Sequence, residues 1–141
     1  MPLAPGGGPL ADDLKVMIVD DSKLVIAQLE HILASVDGVE LVGKVMDGAA
    51  AVRTAAFTKP DLVLMDIVMP GMDGLSALRV IGATQPRTRV VMISSVAGQG
   101  TNAEEAFRLG AVQMISKPFD AEQIEALLES ELERKRRGAA A

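Results

Sequence analysis

Five times along this chain a short run of β-branched and other aliphatic residues is followed by a segment whose apolar residues recur at helical spacing. That alternation leaves few folds open. Lys15 to Val19 reads as a buried strand, and from about Lys23 the apolar residues Val25, Leu29, Ile32, Leu33 and Val36 mark one face of a helix that Gly38 is expected to stop. Val39 to Met46 is a second strand, and Gly48 to Thr58 an alanine-rich helix ending before Pro60. Leu62 to Met65 and Leu75 to Thr84 form the third pair. Val90 to Ile93 leads into a helix over Asn102 to Leu109, closed by Gly110, with Ala103, Ala106 and Phe107 turned inward. Val112 to Ile115 is the last strand, and Ala121 to about Arg136 the last helix, burying Ile124, Leu127, Leu128 and Leu132. Continuous apolar strands alternating with helices imply an α/β domain, its parallel sheet covered on both faces through right-handed crossovers.

The chain's 141 residues suffice for one such domain, not two. Apolar types make up 49% of it but only three residues are aromatic, all Phe, so the core is aliphatic and the eight methionines fill its gaps. There is no cysteine, which excludes disulfides, thiolate metal sites and cysteine nucleophiles. No apolar run is long enough to span a bilayer, and the N-terminus lacks the charged and apolar regions of an export signal, so a cytoplasmic, membrane-free protein is expected. The net charge of −5 argues against direct nucleic-acid binding. Residues 1–14, rich in Pro and Gly, read as a flexible tail, residues 15–137 as the domain and residues 138–141 as a second tail.

Open parallel sheets place ligands at the carboxyl ends of their strands. Here the first strand ends in Asp20-Asp21, the third in Asp66, the fourth in Ser94-Ser95 and the fifth in Ser116-Lys117-Pro118. Three carboxylates brought together repel unless a cation neutralises them, and oxygen donors without His or Cys select Mg²⁺. A lysine and a hydroxyl facing such a centre suit a transferring phosphoryl group, whose equatorial oxygens need charge-stabilising donors. The chemistry inferred is phosphoryl transfer to a carboxylate.

Val-Asp20-Asp21-Ser, Val-Leu-Met-Asp66-Ile-Val-Met-Pro70-Gly-Met-Asp-Gly74, Val-Met-Ile-Ser94-Ser, and Gly110-Ala followed by Lys117-Pro118-Phe119 occur in this order. Together they resemble the receiver domains of two-component response regulators, over about Lys15 to Arg136. The resemblance implies a flavodoxin-like (CheY-like), doubly wound (βα)5 domain with strand order 2-1-3-4-5. It further implies Asp66 as phosphoacceptor for a sensor histidine kinase or phosphotransfer protein. Asp21 would be a direct Mg²⁺ ligand, Asp20 a ligand through water, and the backbone carbonyl of Val68 would join Asp66 in the metal shell. Lys117 would pair with Asp66 and then with the phosphoryl oxygens. Ser94 would supply the switch hydroxyl, with Ser95 as the alternative, and Pro118 is a cis-peptide candidate. Met114 stands where many members carry a rotating Tyr or Phe, so a smaller switch is expected. Partner or dimer affinity would change on the surface formed by the fourth helix, fifth strand and fifth helix. Apolar Val68 and Val96, two residues past Asp66 and Ser94, cannot position a water, which implies slow loss of the phosphoryl group.

Simpler roles compete at each position. Asp20-Asp21 could cap the first helix, and Asp66 and Asp73-Gly74 could serve turns. His31 falls beside the apolar stripe as a surface residue, and Arg134 to Arg137 complements a helix C-terminus. Two alternatives of function stand beside the switch: an interaction module with vestigial phosphorylation, and the receiver fragment of a larger regulator such as a chemotaxis methylesterase. A turnover enzyme of the aspartate-nucleophile phosphatase kind would need a second carboxylate that Asp66-Ile67-Val68 lacks.

Overall fold

The computed structural model describes residues 13–95 and 100–140, and contains strands β1 (Leu14–Val19), β2 (Val39–Val45), β3 (Leu62–Asp66), β4 (Arg89–Ser94) and β5 (Gln113–Ser116). Helices α1 (Lys23–Ala34), α2 (Gly48–Thr58), α3 (Gly74–Thr84), α4 (Gly100–Arg108) and α5 (Ala121–Ala140) follow them in strict alternation. The strands pair in parallel in the order β2-β1-β3-β4-β5. This is the expected doubly wound sheet, with the order reversing beside β1.

Alternate strand residues feed two separate cores because side chains point to opposite faces of a pleated sheet. Val16, Ile18, Leu62, Leu64, Val91, Ile93 and Ile115 meet Leu29 and Leu33 of α1 and Ile124, Leu128 and Leu132 of α5 on one face. Met17, Val19, Val63, Met65, Val90 and Met92 meet alanines of α2, Ala77, Leu78 and Ile81 of α3, and Ala106 of α4 on the other. Each fully buried Leu or Ile contributes about 1.5–3 kcal/mol, so the central strands are the most firmly held part of the molecule. Methionines 17, 65, 69 and 92 are all buried, as a core short of rings requires.

The helices start where the sequence supplies caps. Ser22, Asp47 and Asp73 accept hydrogen bonds from the backbone N–H of Val25, Ala50 and Ser76 at 3.3, 2.8 and 2.9 Å. Because each of these caps follows a strand's carboxyl end, the loops of that edge are pinned.

Several expectations are corrected. Helix α1 ends at Ala34, where the Ser35 hydroxyl donates to the Ile32 carbonyl at 2.7 Å; Gly38, with φ of +85°, instead turns the chain into β2. Phe107 is half exposed and not inward, because α4 rests on the sheet through Ala106 and leaves the next position at its margin. The first strand takes in Leu14, whose side chain is buried and whose N–H bonds the Gly38 carbonyl at 2.8 Å. Helix α5 continues through Gly138 to Ala140, anchored where Lys135 reaches Asp61 at 2.8 Å and the Asp13 carbonyl at 2.6 Å. The N-terminal tail up to residue 12 lies outside the described residues.

Candidate functional site

Strands β1 and β3 lie side by side at the centre of the sheet, and their last residues bring Asp20 and Asp66 together. Asp20 is almost wholly buried, its Oδ1 accepting the Ser22 N–H at 2.9 Å and its own N–H donating to the Val45 carbonyl at 3.1 Å. Since Ser22 caps α1, Asp21 is left free of that duty and stands exposed beside Asp20. Asp66 is 5% exposed, and its Oδ1 accepts the Val68 N–H at 3.3 Å. One oxygen from each of Asp20, Asp21 and Asp66 lies within 4.8 Å of the others.

Lys117 approaches this group from β5. Its Nζ is 2.9 Å from Asp20 Oδ2 and 3.4 Å from Asp66 Oδ2, so the expected partner, Asp66, is the more distant of two. The backbone holds the lysine there through its N–H, which donates to the Ser94 carbonyl at 2.8 Å; the Lys117–Pro118 peptide, the cis candidate, is cis. Burial pushes the Asp66 carboxyl above its ordinary value and Asp20 adds to the rise, while Lys117 and the Val68 N–H oppose it. For Lys117 burial acts downward, yet the hydrogen bond and charge of Asp20, joined by Asp66, raise its ammonium above the usual lysine range. The lysine is therefore charged wherever the protein is folded at ordinary pH.

One ammonium facing three carboxylates leaves two negative charges uncompensated. An all-oxygen donor set with that deficit fits a hard divalent cation and offers nothing to a thiophilic one.

Ser94 and Ser95 separate clearly. Ser94 is 1% exposed at the end of β4, opposite Ser116 in the β4–β5 register; Ser95 is exposed and lines a cavity of about 350 Å³ with Val25, Lys117 and Phe119. Met114, partly buried opposite Met92, packs against the core formed with α2, α3 and α4. Val68 is 59% exposed above Asp66, whereas Val96 lies outside the described residues.

The β3–α3 loop carries a constraint that sequence reading assigned to turn chemistry alone. Gly74 donates its N–H to the Ile67 carbonyl at 2.8 Å, and a Cβ built on it would stand 2.1 Å from the Asp66 carbonyl oxygen. The Asp-Gly pair thus does two things, with Asp73 capping α3 and Gly74 letting the helix start against the backbone of Asp66.

A doubly wound domain with a carboxylate cluster and a lysine at the carboxyl edge of its sheet is the architecture of a phosphate-handling switch. The chain belongs to the response regulator receiver domain family, whose model matches residues 16–129. It is 39% identical over 105 residues to protein-glutamate methylesterase/protein-glutamine glutaminase 5 of Myxococcus xanthus, covering 74% of this chain and 30% of that protein. It is also 39% identical over 116 residues to the chemotaxis protein CheY of Listeria monocytogenes, covering 82% and 96% respectively. Among solved structures, the CheX-CheY-BeF3-Mg+2 complex from Borrelia burgdorferi is similar with a TM-score of 0.76 and 33% identity, over 83% of this chain and 87% of that one. The chain thus spans about a third of the methylesterase relatives and nearly all of the CheY relative. No helix among the described residues is long and apolar enough to cross a membrane.

Proposed function

We propose that this receiver domain switches by accepting a phosphoryl group on Asp66 from a histidine kinase or phosphotransfer protein. The observation that carries the reading is the convergence of Lys117 with Asp20 and Asp66, beside Asp21, at one edge of the sheet. An Asp66 oxygen attacks the phosphorus of the donor phosphohistidine; the P–O bond forms as the P–N bond breaks, and the imidazole leaves with the electron pair and takes up a proton. Lys117 opposes the rise that burial imposes on the Asp66 carboxyl, then follows the negative charge onto the phosphoryl oxygens. Asp20, Asp21, Asp66 and the Val68 carbonyl would hold Mg²⁺, which when bound neutralises the converging oxygens of carboxylate and phosphoryl group. Asp20 and Asp21 serve the metal in this reading, the first also tied to Lys117 and the Ser22 N–H and the second exposed beside it.

Ser94, buried next to the site, is our choice for the hydroxyl that moves to the phosphoryl group, with Ser95 serving the adjacent cavity. Met114 answers that movement with a small rearrangement, and the surface of α4, β5 and α5 passes it to a partner or a second copy. Half-exposed Phe107 and exposed Val112 on that surface favour an apolar contact there. Val68 beside Asp66 offers no hydrogen bond to an attacking water, which favours slow hydrolysis. The domain modifies itself and turns over no external substrate. Likeness to the methylesterases supports a second reading, that it serves as the receiver of a longer regulator, without changing the site chemistry. A cytoplasmic location fits a domain that takes its phosphoryl group from a kinase.

Acetyl phosphate with Mg²⁺ should add one phosphoryl group to the intact protein by mass spectrometry. EDTA or Asp66→Asn should abolish the addition. Full uptake by Asp66→Asn overturns the assignment, and no uptake by wild type under any donor favours the vestigial interaction module.

A further inference from the structure

Beneath the sheet, at the edge opposite Asp66, a cavity of about 390 Å³ is walled by the residues entering β3 and β4 and by the last turns of α5. Its charges do not balance. Arg89 is held by Glu131, Nε to Oε1 at 2.7 Å and Nη2 to Oε2 at 3.2 Å, and Lys135 is held by Asp61 at 2.8 Å. Both carboxylates of the wall are thereby used. Arg87 and Arg134 line the same cavity, exposed, and neither has an ion pair or hydrogen bond among the described residues. Two uncompensated guanidiniums thus line one cavity on a chain of net charge −5.

Unpaired arginines around a cavity whose neighbouring cations are already held in ion pairs form a ready receptor for an oxyanion. The planar fork of a guanidinium matches phosphoryl oxygens two at a time, and linked phosphoryl groups carry enough oxygens to engage both arginines. At roughly 30 Å³ per displaced water the space holds about a dozen waters, ample room for a diphosphate. Among the described residues no aromatic ring lines it. We infer that this cavity is a second anion site, independent of the Asp66 reading, which binds the polyphosphate moiety of a small molecule between Arg87 and Arg134.

Pyrophosphate is the probe, added in Mg²⁺-free buffer with EDTA so that the aspartate cluster repels it. Calorimetry should show one saturable site that weakens as salt rises, with amide shifts centred on Arg87, Arg89 and the turn around Arg134. The double variant Arg87→Gln/Arg134→Gln, altered only at exposed positions, should unfold at the wild-type temperature and lose about tenfold or more in affinity. ATP binding as tightly as pyrophosphate places recognition in a free polyphosphate tail; ATP binding more than about tenfold tighter assigns the site to nucleotides. Absence of saturation, equal binding by the double variant, shifts centred on Asp20 and Lys117, or binding only of nucleic acid or anionic vesicles would each overturn the inference.

Discussion

Two glycines of the same helix should respond to the same substitution in opposite directions. Gly74 opens α3 with backbone angles outside the left-handed region, so Ala is sterically allowed locally and only its surroundings matter. Its Cβ would lie 2.1 Å from the Asp66 carbonyl oxygen and 2.8 Å from Ile67 Cα. Ordinary contacts begin near 3.5 Å, so the loop must part from β3 by roughly 1.4 Å. Overpacking of this kind costs about 1–3 kcal/mol, and loss of the 2.8 Å Gly74 to Ile67 hydrogen bond adds about 1 kcal/mol more. Gly74→Ala should therefore lose about 3 kcal/mol in urea unfolding followed by circular dichroism. Because the clash is with the phosphoacceptor's own backbone, the remaining folded protein should take up phosphoryl groups about a hundredfold more slowly. Gly82, within α3, has its nearest atom at 3.4 Å, the Leu109 carbonyl oxygen. There Ala fits, and Gly82→Ala should gain about 0.5–1 kcal/mol from helix propensity and a less disordered unfolded chain. A Gly74→Ala midpoint equal to wild type, or a Gly82→Ala loss above about 1 kcal/mol, would refute the packing argument.

Four further outcomes follow from the charges. Lys117→Met removes the cation shared by Asp20 and Asp66, and phosphoryl uptake from acetyl phosphate should slow by about a hundredfold or more; an unchanged rate would remove the lysine from the mechanism. Since the metal-free Asp66 carboxyl titrates above 3.8, its contribution to stability is present below that pH and is lost as pH rises through the elevated value, so Asp66→Asn should stabilise the metal-free protein near neutral pH more than near pH 4. Mg²⁺ should raise the melting temperature of wild type, and not of that variant, most at the neutral end; parallel pH profiles of wild type and variant would contradict the account. Arg89→Met strands the buried Glu131 and should cost about 3 kcal/mol, most of it recovered in Arg89→Met/Glu131→Leu, with no recovery in the double variant as the contrary result.

What the chain disclosed in advance follows the reach of each signal. The five strand–helix units and the polar strand ends were legible because side-chain period and chain order are local, and a parallel sheet carries the strand ends to one edge. Phe107 was misplaced because α4 is short and, among its described residues, Ala106 is the buried one, which gives the period little to register. The Ser35 cap was hidden by a glycine three residues further on that was expected to do the same work. Lys117 was identified at its site, but its closer approach to Asp20 depends on a hydrogen bond to Ser94 set by the β4–β5 pairing. The Arg89–Glu131 and Lys135–Asp61 pairs join residues 42 and 74 positions apart, and nothing in either neighbourhood announces its partner. The tight seat of Gly74 was likewise invisible, since it depends on the path of the loop before it.

The central claim is that the side chain of Asp66, and no other, receives the phosphoryl group. Borohydride reduces an acyl phosphate to the alcohol, turning a phosphorylated aspartate into homoserine while leaving free carboxylates and phosphoserine intact. Wild type treated with acetyl phosphate and Mg²⁺, reduced and digested, should give one homoserine-containing peptide by tandem mass spectrometry, with homoserine at position 66. Homoserine at position 20 or 21, or borohydride-resistant phosphate on Ser94 or Ser95 with Asp66 unchanged, would contradict it.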